Sequence, residues 1–523
     1  MQYKLIALLL ASAFTLSTAE AAPKKVWITV GDAALAELQK ISPTTRASVS
    51  RAMPASQAGV PAGLASPQAA RLEQAHAVLV DEDMLLSLSE AVHHELRRCG
   101  GYMAHASEAD ALAALQASGT VNLLASRPSY AIDNPTLVNP LLPQMQDSNI
   151  AATINDLSAF TNRYYTTTHG VNASNWLAQR WQQLGAGRSD VTVEQFTHTG
   201  YPQKSVILTI KGTDNASEVV VLGGHLDSIV SGGMSENKRA PGADDDASGI
   251  ASLTEAARVM LASGYKPRRT IKFMGYAAEE VGLRGSQDIA KKFKTDNVNV
   301  VGVMQLDMTN YKGSVNDIYI YTDYTDSQQN SFLASLISSY LPTLKVGYDK
   351  CGYGCSDHAS WNGQGFAASL PFEASFSQSD PYIHTINDTY ANTGSQALHA
   401  LKFSRLALAY AVELGSDGPS VPPPGDKVET FSGSLAKGQK ANFGPFKVAA
   451  GGSLVADLTG TGDADLYVRK GAAPTTSAYD CRPYKSGSTE SCTVNMTANG
   501  DVYVMLNGYA AATYNLKVTY RAQ

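Results

Sequence analysis

Gly242-Ala243-Asp244-Asp245-Asp246-Ala247-Ser248-Gly249 sets three consecutive carboxylates between a Pro-Gly turn and an apolar helix. Adjacent acids repel one another unless something cationic holds them together. The stretch therefore points to a divalent metal whose other ligands lie elsewhere in the chain. Around it, apolar strands alternate with helices. Strands are expected at 192–197, 205–211, 219–222, 270–276, 298–306 and 318–321, and helices at 154–164, 172–184, 248–262 and 285–293. This alternation predicts an α/β three-layer sandwich with a mostly parallel central sheet covered on both faces. In such sheets chemistry gathers beyond the carboxyl ends of the strands.

The strand ends carry the candidate residues. Strand 219–222 leads through two glycines into His225, within Gly223-Gly224-His225-Leu226-Asp227-Ser228, and Asp227 could hold the other ring nitrogen. Strand 270–276 ends in Ala277-Ala278-Glu279-Glu280-Val281-Gly282. Neighbouring side chains diverge, so one glutamate can bind metal while the other faces a water; charge at a helix start would explain an isolated Glu-Glu pair equally well. Strand 298–306 runs into Asp307, an acid costly to desolvate unless paired or coordinated. His384 lies in Tyr382-Ile383-His384-Thr385, after the apolar piece 367–372. Two imidazoles with several acids suit zinc, and a bridging carboxylate lets five ligands serve two ions in a hydrolytic site.

At 523 residues the chain exceeds a single core, and its 44% hydrophobic and 17% charged content is globular. A net charge of −6 without a long Lys/Arg run argues against nucleic acid or an anionic membrane as partner. Residues 1–22 have the layout of a signal peptide, with Lys4, an apolar run too short to span a bilayer, and small residues before the cleavage point. No later stretch is long and apolar enough to span, so the expected product is exported and free of membrane spans. Residues 23–138 open with a strand at Val26-Trp27-Ile28-Thr29-Val30 and turn Ala-rich and helical, a propeptide by position that could aid folding or inhibit. His93-His94-Glu95 within it is expected on an exposed helix, because adjacent helical residues do not face one site.

Residues 139–416 form the α/β body, 417–427 a Pro-rich linker, and 428–523 an all-β sandwich with short alternating strands. In an exported chain Cys351/Cys355 and Cys481/Cys492 are expected as disulfides, with Cys99 left over. A zinc knuckle at Cys351/Cys355 is the rival, without a second Cys/His pair nearby. Asp457, Asp463 and Asp465 could bind calcium, although turn chemistry explains them as well. No Gly-x-Ser-x-Gly elbow marks a serine hydrolase.

The motifs Gly-Gly-His-Leu-Asp-Ser, Ala-Pro-Gly-Ala-Asp-Asp-Asp-Ala-Ser-Gly, Tyr-Ala-Ala-Glu-Glu-Val-Gly-Leu-Arg-Gly-Ser, Gln-Leu-Asp-Met-Thr-Asn-Tyr, Cys-Gly-Tyr-Gly-Cys-Ser-Asp-His and Ile-His-Thr together resemble the secreted bacterial leucine aminopeptidases, a co-catalytic dizinc family. The resemblance implies two Zn2+ ions, with Asp245 bridging, His225 and Asp307 on one ion, and Glu280 and His384 on the other. It implies Glu279 as general base, Asp227 as the partner of His225, Tyr353 as oxyanion donor in the Cys351/Cys355 loop, and a cis peptide at Asp245-Asp246. Phe372, Phe376 and Ile383 match the family's pocket for an apolar first side chain, although Glu373-Ala374-Ser375-Phe376-Ser377-Gln378-Ser379 departs from the family there. His358 is expected to be structural. The tail resembles the bacterial pre-peptidase C-terminal domain, an accessory sandwich that is often cleaved.

The implied function is a secreted, monomeric metallo-aminopeptidase. It would release leucine or other large apolar residues from peptide or protein N-termini after a processing protease removes the propeptide and, in some cases, the tail. A same-fold carboxypeptidase or cyclotransferase, or a non-catalytic exported binding module, are the alternatives.

Overall fold

The computed structural model describes residues 24–52, 74–96, 100–117, 128–417, 426–450 and 452–522. The signal segment 1–22, Cys99 and most of the linker lie outside the described residues. The N-terminal part runs β1 (Lys25–Gly31), α1 (Asp32–Ile41), β2 (Ala47–Ala52), β3 (Gln74–Asp81), α2 (Met84–Leu96), β4 (Tyr102–His105) and α3 (Glu108–Ala117). Its antiparallel sheet, in the order β2-β3-β1-β4, packs Ile28, Val30, Val78 and Val80 against Leu38 of α1 and Leu85, Leu88 and Val92 of α2. The expectation of one strand followed by helix is corrected here. The Ala-rich runs hide further strands because alanine's small side chain marks neither period.

The central part comprises α4 (Pro135–Val138), α5 (Asp147–Ala159), α6 (Thr168–Leu184), β5 (Val191–Phe196), β6 (Ser205–Ile210), β7 (Asn215–His225), α7 (Ala247–Ala262), β8 (Arg269–Tyr276), α8 (Arg284–Thr295), β9 (Asn299–Gln305), β10 (Ile318–Tyr321), α9 (Ser327–Tyr340), β11 (Val346–Asp349), α10 (His358–Gly363), β12 (Ala368–Ser369), β13 (Pro371–Phe372) and α11 (Leu398–Ser416). The main sheet is ordered β12-β9-β7-β8-β6-β5. Its first four strands are parallel, and β6 and β5 are antiparallel. Strand period divides the core between two faces. Val220 and Leu222 join α5, α7 and α11 in one apolar cluster, while Val219 and Val221 join α8 and Trp361 of α10 in another. A sheet buried on both faces needs the near-continuous apolar strands seen here.

Three local expectations are corrected. The strand at 318–321 does not join the main sheet; β10 pairs in parallel with β11 and antiparallel with β13 in a sheet of its own. The piece 367–372 is divided, with β12 on β9 and β13 on β10. The helix expected at 154–164 begins at Asp147 and stops at Ala159. Beyond it, buried Arg163 donates to the carbonyls of Leu226, Pro241 and Gly242, tying the loop ahead of α7 to the end of β7.

The C-terminal part contains β14 (Asp426–Leu435), β15 (Lys440–Val448), β16 (Ser453–Thr461), β17 (Ala464–Lys470), β18 (Glu490–Asn495), β19 (Gly500–Gly508) and β20 (Ala512–Arg521). They make two antiparallel sheets, β14-β20-β16-β18 and β15-β19-β17, closed over one apolar core of their own. Among the described residues no helix is long and apolar enough to cross a membrane.

Candidate metal centre

β7 ends at His225, β8 at Tyr276 just ahead of Glu279 and Glu280, and β9 at Gln305 just ahead of Asp307, so three neighbouring parallel strands deliver their polar residues to one rim. His225 Nε2 stands 2.8 Å from Asp245 Oδ1 and 3.5 Å from Asp307 Oδ1. His384 Nε2 stands 2.8 Å from Glu280 Oε2 and 3.2 Å from Asp245 Oδ2. Asp245 thus offers one carboxylate oxygen to each histidine. In each trio, His225/Asp245/Asp307 and Asp245/Glu280/His384, the ligand atoms lie within 4.8 Å of one another. All five side chains are buried.

Of the three consecutive acids only Asp245 faces this pocket, which corrects the idea that a cation must hold all three. The Asp245-Asp246 peptide is cis. Asp246 instead caps α7: its Oδ1 accepts from Gly249 N and Met308 N at 2.8 and 3.1 Å, and its Oδ2 from His225 N at 2.9 Å. Asp244 accepts from Asn310 N at 2.9 Å. Asp388 holds the acidic loop from outside, taking Asp244 N at 2.8 Å and Asp245 N at 3.1 Å. Ser356 donates to Asp307 Oδ2 at 2.6 Å. Asp227 lies 3.6 Å from His225 Nδ1, but its carboxylate is bonded chiefly to the backbone N–H groups of Glu279 at 2.9 Å and Glu280 at 3.2 Å. Ser356 and Asp246 lie within the quoted motifs but nothing there marks the roles they take, and Asp388 lies outside them all. Asp388's position four residues after His384 is the one local hint.

The donor set fits a pair of divalent cations. Asp245 Oδ2, Glu280 Oε1 and Asp307 Oδ1 are buried and accept no hydrogen bond, a costly state for carboxylates unless positive charge compensates them. Protons compensate them otherwise. Burial works against charge on His384, but Glu280 and Asp245 outweigh it and push the imidazole up to about 10. His225 is likewise raised, burial being overcome by Asp307, Glu279, Asp227 and Asp245. Burial and the charge of Asp245 push Glu280 up to about 7, against the pull of His384. Asp245 is held well below the usual carboxylate range because both histidines outweigh its burial. Imidazole nitrogens mixed with carboxylates are ligands of zinc-type ions, and a shared carboxylate suits two of them.

Residues 205–409 match the model of peptidase family M28. A probable leucine aminopeptidase of Arthroderma benhamiae is 35% identical over 298 residues, covering 55% of this chain and 76% of the relative. The chain belongs to peptidase family M28. Leucine aminopeptidase 1 of Sclerotinia sclerotiorum is 33% identical over 341 residues, 62% of this chain and 85% of the relative. Among solved structures, the LapA aminopeptidase of Legionella pneumophila is similar with a TM-score of 0.60 and 31% identity, covering 76% of this chain and all of that one (100%). Residues 442–508 match the bacterial pre-peptidase C-terminal domain.

In this M28 peptidase Glu279 sits on a tight turn, following Ala278 at φ 56° and accepting from Gly282 N and Leu283 N through its carbonyl at 2.9 and 2.8 Å. Burial, reinforced by Asp357, Glu280 and Asp307 and opposed by His225, raises its carboxyl well above the usual range. Cys351 and Cys355 are disulfide-bonded around Tyr353, and Asp323 accepts from Cys351 N and Gly352 N at 3.1 and 2.7 Å. Tyr353, Phe372, Phe376 and Ile383 share one buried apolar cluster beside the ligands, with the Tyr353 and Phe376 rings 6.1 Å apart. His358 starts α10, and burial lowers it to about 3, so its ring is neutral. Cys481 and Cys492 are bonded in the C-terminal part. There Asp457 accepts from Ser491 and Asp463 from Gly487 N, while Asp465 faces Arg482. These acids form no such group: among the described residues the groups that could hold a metal ion are the two trios above.

Proposed function

We propose that this M28 peptidase is a dizinc aminopeptidase that removes N-terminal residues, leucine and other large apolar ones by preference, from peptides. The observation carrying this reading is the pair of candidate ligand trios sharing Asp245, with Glu279 next to Glu280 in sequence and Ile383 of the buried apolar cluster next to His384. His225, Asp245 and Asp307 would hold one zinc, and Asp245, Glu280 and His384 the other. When bound, the ions supply Lewis acidity that lowers the pKa of a water and polarises the peptide carbonyl.

The chain's own residues do the rest. Glu279 takes the proton from the attacking water and returns it to the departing amine. Asp227, bonded to the backbone of both glutamates, keeps base and ligand in register. Tyr353 donates its hydroxyl to the developing oxyanion, and the disulfide limits the loop's other conformations. Phe372, Phe376 and Ile383 accept the apolar first side chain, and the relatives named as leucine aminopeptidases support the specificity assigned here. Two complete trios favour a two-ion aminopeptidase over a one-ion cyclotransferase, and filled ligand and base positions favour catalysis over a binding module.

We infer further that residues 1–22 direct export, 23–138 form a propeptide, 139–416 the catalytic body, and 428–523 a sandwich joined by the linker 417–427. The apolar run near the start and the two disulfides support export. Metal analysis together with leucine release from Leu-p-nitroanilide and from N-blocked peptides tests the assignment. About two zincs per chain and release from free N-termini alone are expected; cleavage of blocked peptides would reject it.

A further inference from the structure

We propose that His198 is a positioning residue for the turn that bears Glu279 and Glu280, acting on it through Ser205. The proposal rests on the assignment of Glu280 as a zinc ligand. Ser205 opens β6, and the antiparallel ladder between β6 and β8 ends at the pair Val206 and Gly275. Past that pair the backbone is held by a side chain: Ala277 N donates to Ser205 Oγ at 2.9 Å. Ser205 Oγ lies 2.8 Å from His198 Nε2, and His198 Nδ1 lies 2.8 Å from Asp288 Oδ2. With the ring proton on Nδ1, every group in this row finds its partner: Ala277 N–H donates to Ser205, the Ser205 hydroxyl to Nε2, and Nδ1–H to Asp288.

Asp288, His198 and Ser205 are the residue types of a hydrolytic triad, but this arrangement cannot act as one. Ser205 is 0% exposed and its oxygen already accepts an N–H, so no substrate reaches it. The row instead fixes a backbone position two residues ahead of Glu279. The imidazole is itself fixed: it is buried, stacked on Tyr201 with centroids 5.1 Å apart and planes at 16°, and flanked by Phe196 at 5.0 Å. The turn needs such support because Ala278 holds φ 56°, a left-handed conformation costly for a residue with a Cβ. Asp227 restrains the far side of Ala278 through Glu279 N and Glu280 N, and Ser205 restrains the near side. The turn is thus clamped between two side chains, one of them steered by His198. Loss of that clamp would let Glu280 drift from the position where its Oε2 stands 2.8 Å from His384 Nε2.

The test compares the full chain with its His198→Ala, His198→Asn, His198→Gln and Ser205→Ala variants. Zinc affinity is read by titration against a chelator, and hydrogen exchange of the Ala277 amide is followed in the metal-free chain. Glutamine carries its amide group to the place of Nε2 and can accept from Ser205, whereas asparagine reaches only the place of Nδ1. His198→Ala and His198→Asn should weaken the zinc held by Glu280 by about tenfold or more, as loss of an outer partner of a metal ligand does. Both should also open Ala277 to faster exchange. His198→Gln should keep most of the affinity and of the protection. Ser205→Ala should match His198→Ala, and the double variant should lose no more than either, because the two act as one unit. A role in stability alone would lower the melting temperature of every variant and leave zinc affinity untouched, and that result would overturn the proposal. A glutamine variant no better than asparagine, or an unchanged Ala277 amide, would overturn it too. A wild-type chain that takes up no zinc would reject the metal assignment and the proposal together. Leucine release is scored separately: a wild type that binds zinc yet releases no leucine rejects the aminopeptidase reading, while the zinc affinities still decide the role of His198.

Discussion

At the scale of single residues, the candidate centre would set protons against metal. In the metal-free chain Glu280 is raised to about 7 and His384 to about 10, so at neutral pH both retain protons in part or in full. Zinc bound as proposed would have to displace them, so uptake should release protons and affinity should fall as pH is lowered. Calorimetry in two buffers of different ionisation enthalpy checks this, and identical heats would contradict it. Glu279→Ala should keep about two zincs and lose roughly 10²–10⁴ in kcat, the usual worth of a positioned base; retained activity would remove Glu279 from that role. The residue types at the strand ends were legible because histidine and acids are costly there without a partner. That Asp244 and Asp246 turn away from the metal pocket was not, since their acceptors' partners, Asn310 and Met308, come from a different strand end.

At the scale of elements, Asp246 joins three of them, accepting from the end of β7, the first turn of α7 and the loop after β9. Asp246→Asn leaves one acceptor oxygen where there were two, and one buried N–H loses its partner. A cost of about 1–3 kcal/mol is expected, read as a lower urea midpoint at unchanged slope. An unchanged midpoint would show that the three segments are held by other contacts. The alternation of strands and helices in the body was visible because buried parallel strands are apolar throughout and short. Sheet membership was not visible: β10 is as apolar as β7, and what separates them is pairing with β11 and β13, set by contacts distant in sequence.

For the whole molecule, the N-terminal domain's grip should respond to acid. Burial raises Glu82, but bonds from Lys24 and Arg284 outweigh it and leave the carboxyl below its usual value. A carboxyl depressed in the docked state contributes fully at neutral pH and loses that contribution as pH falls through its lowered value. Gel filtration of the cleaved chain should therefore show the N-terminal domain retained at neutral pH and released more readily below about pH 4; equal retention would exclude this ion pair as a holding contact. The C-terminal sandwich has an apolar core built only from its own residues. A chain ending at residue 417 should hydrolyse Leu-p-nitroanilide within about twofold of the longer one, as expected for a domain with an independent core. A larger loss would mean that the sandwich takes part in catalysis.

The local sequence determined the α/β body, the all-β tail and the residue types collected at the carboxyl ends of β7, β8 and β9, because periodicity and strand termini are properties of short windows. Tertiary structure alone decided which of three adjacent acids faces the metal pocket, which sheet receives β10, and that His93 comes to rest against His384. These are meetings between segments far apart along the chain, fixed by packing summed over the whole molecule, and no short stretch carries the information.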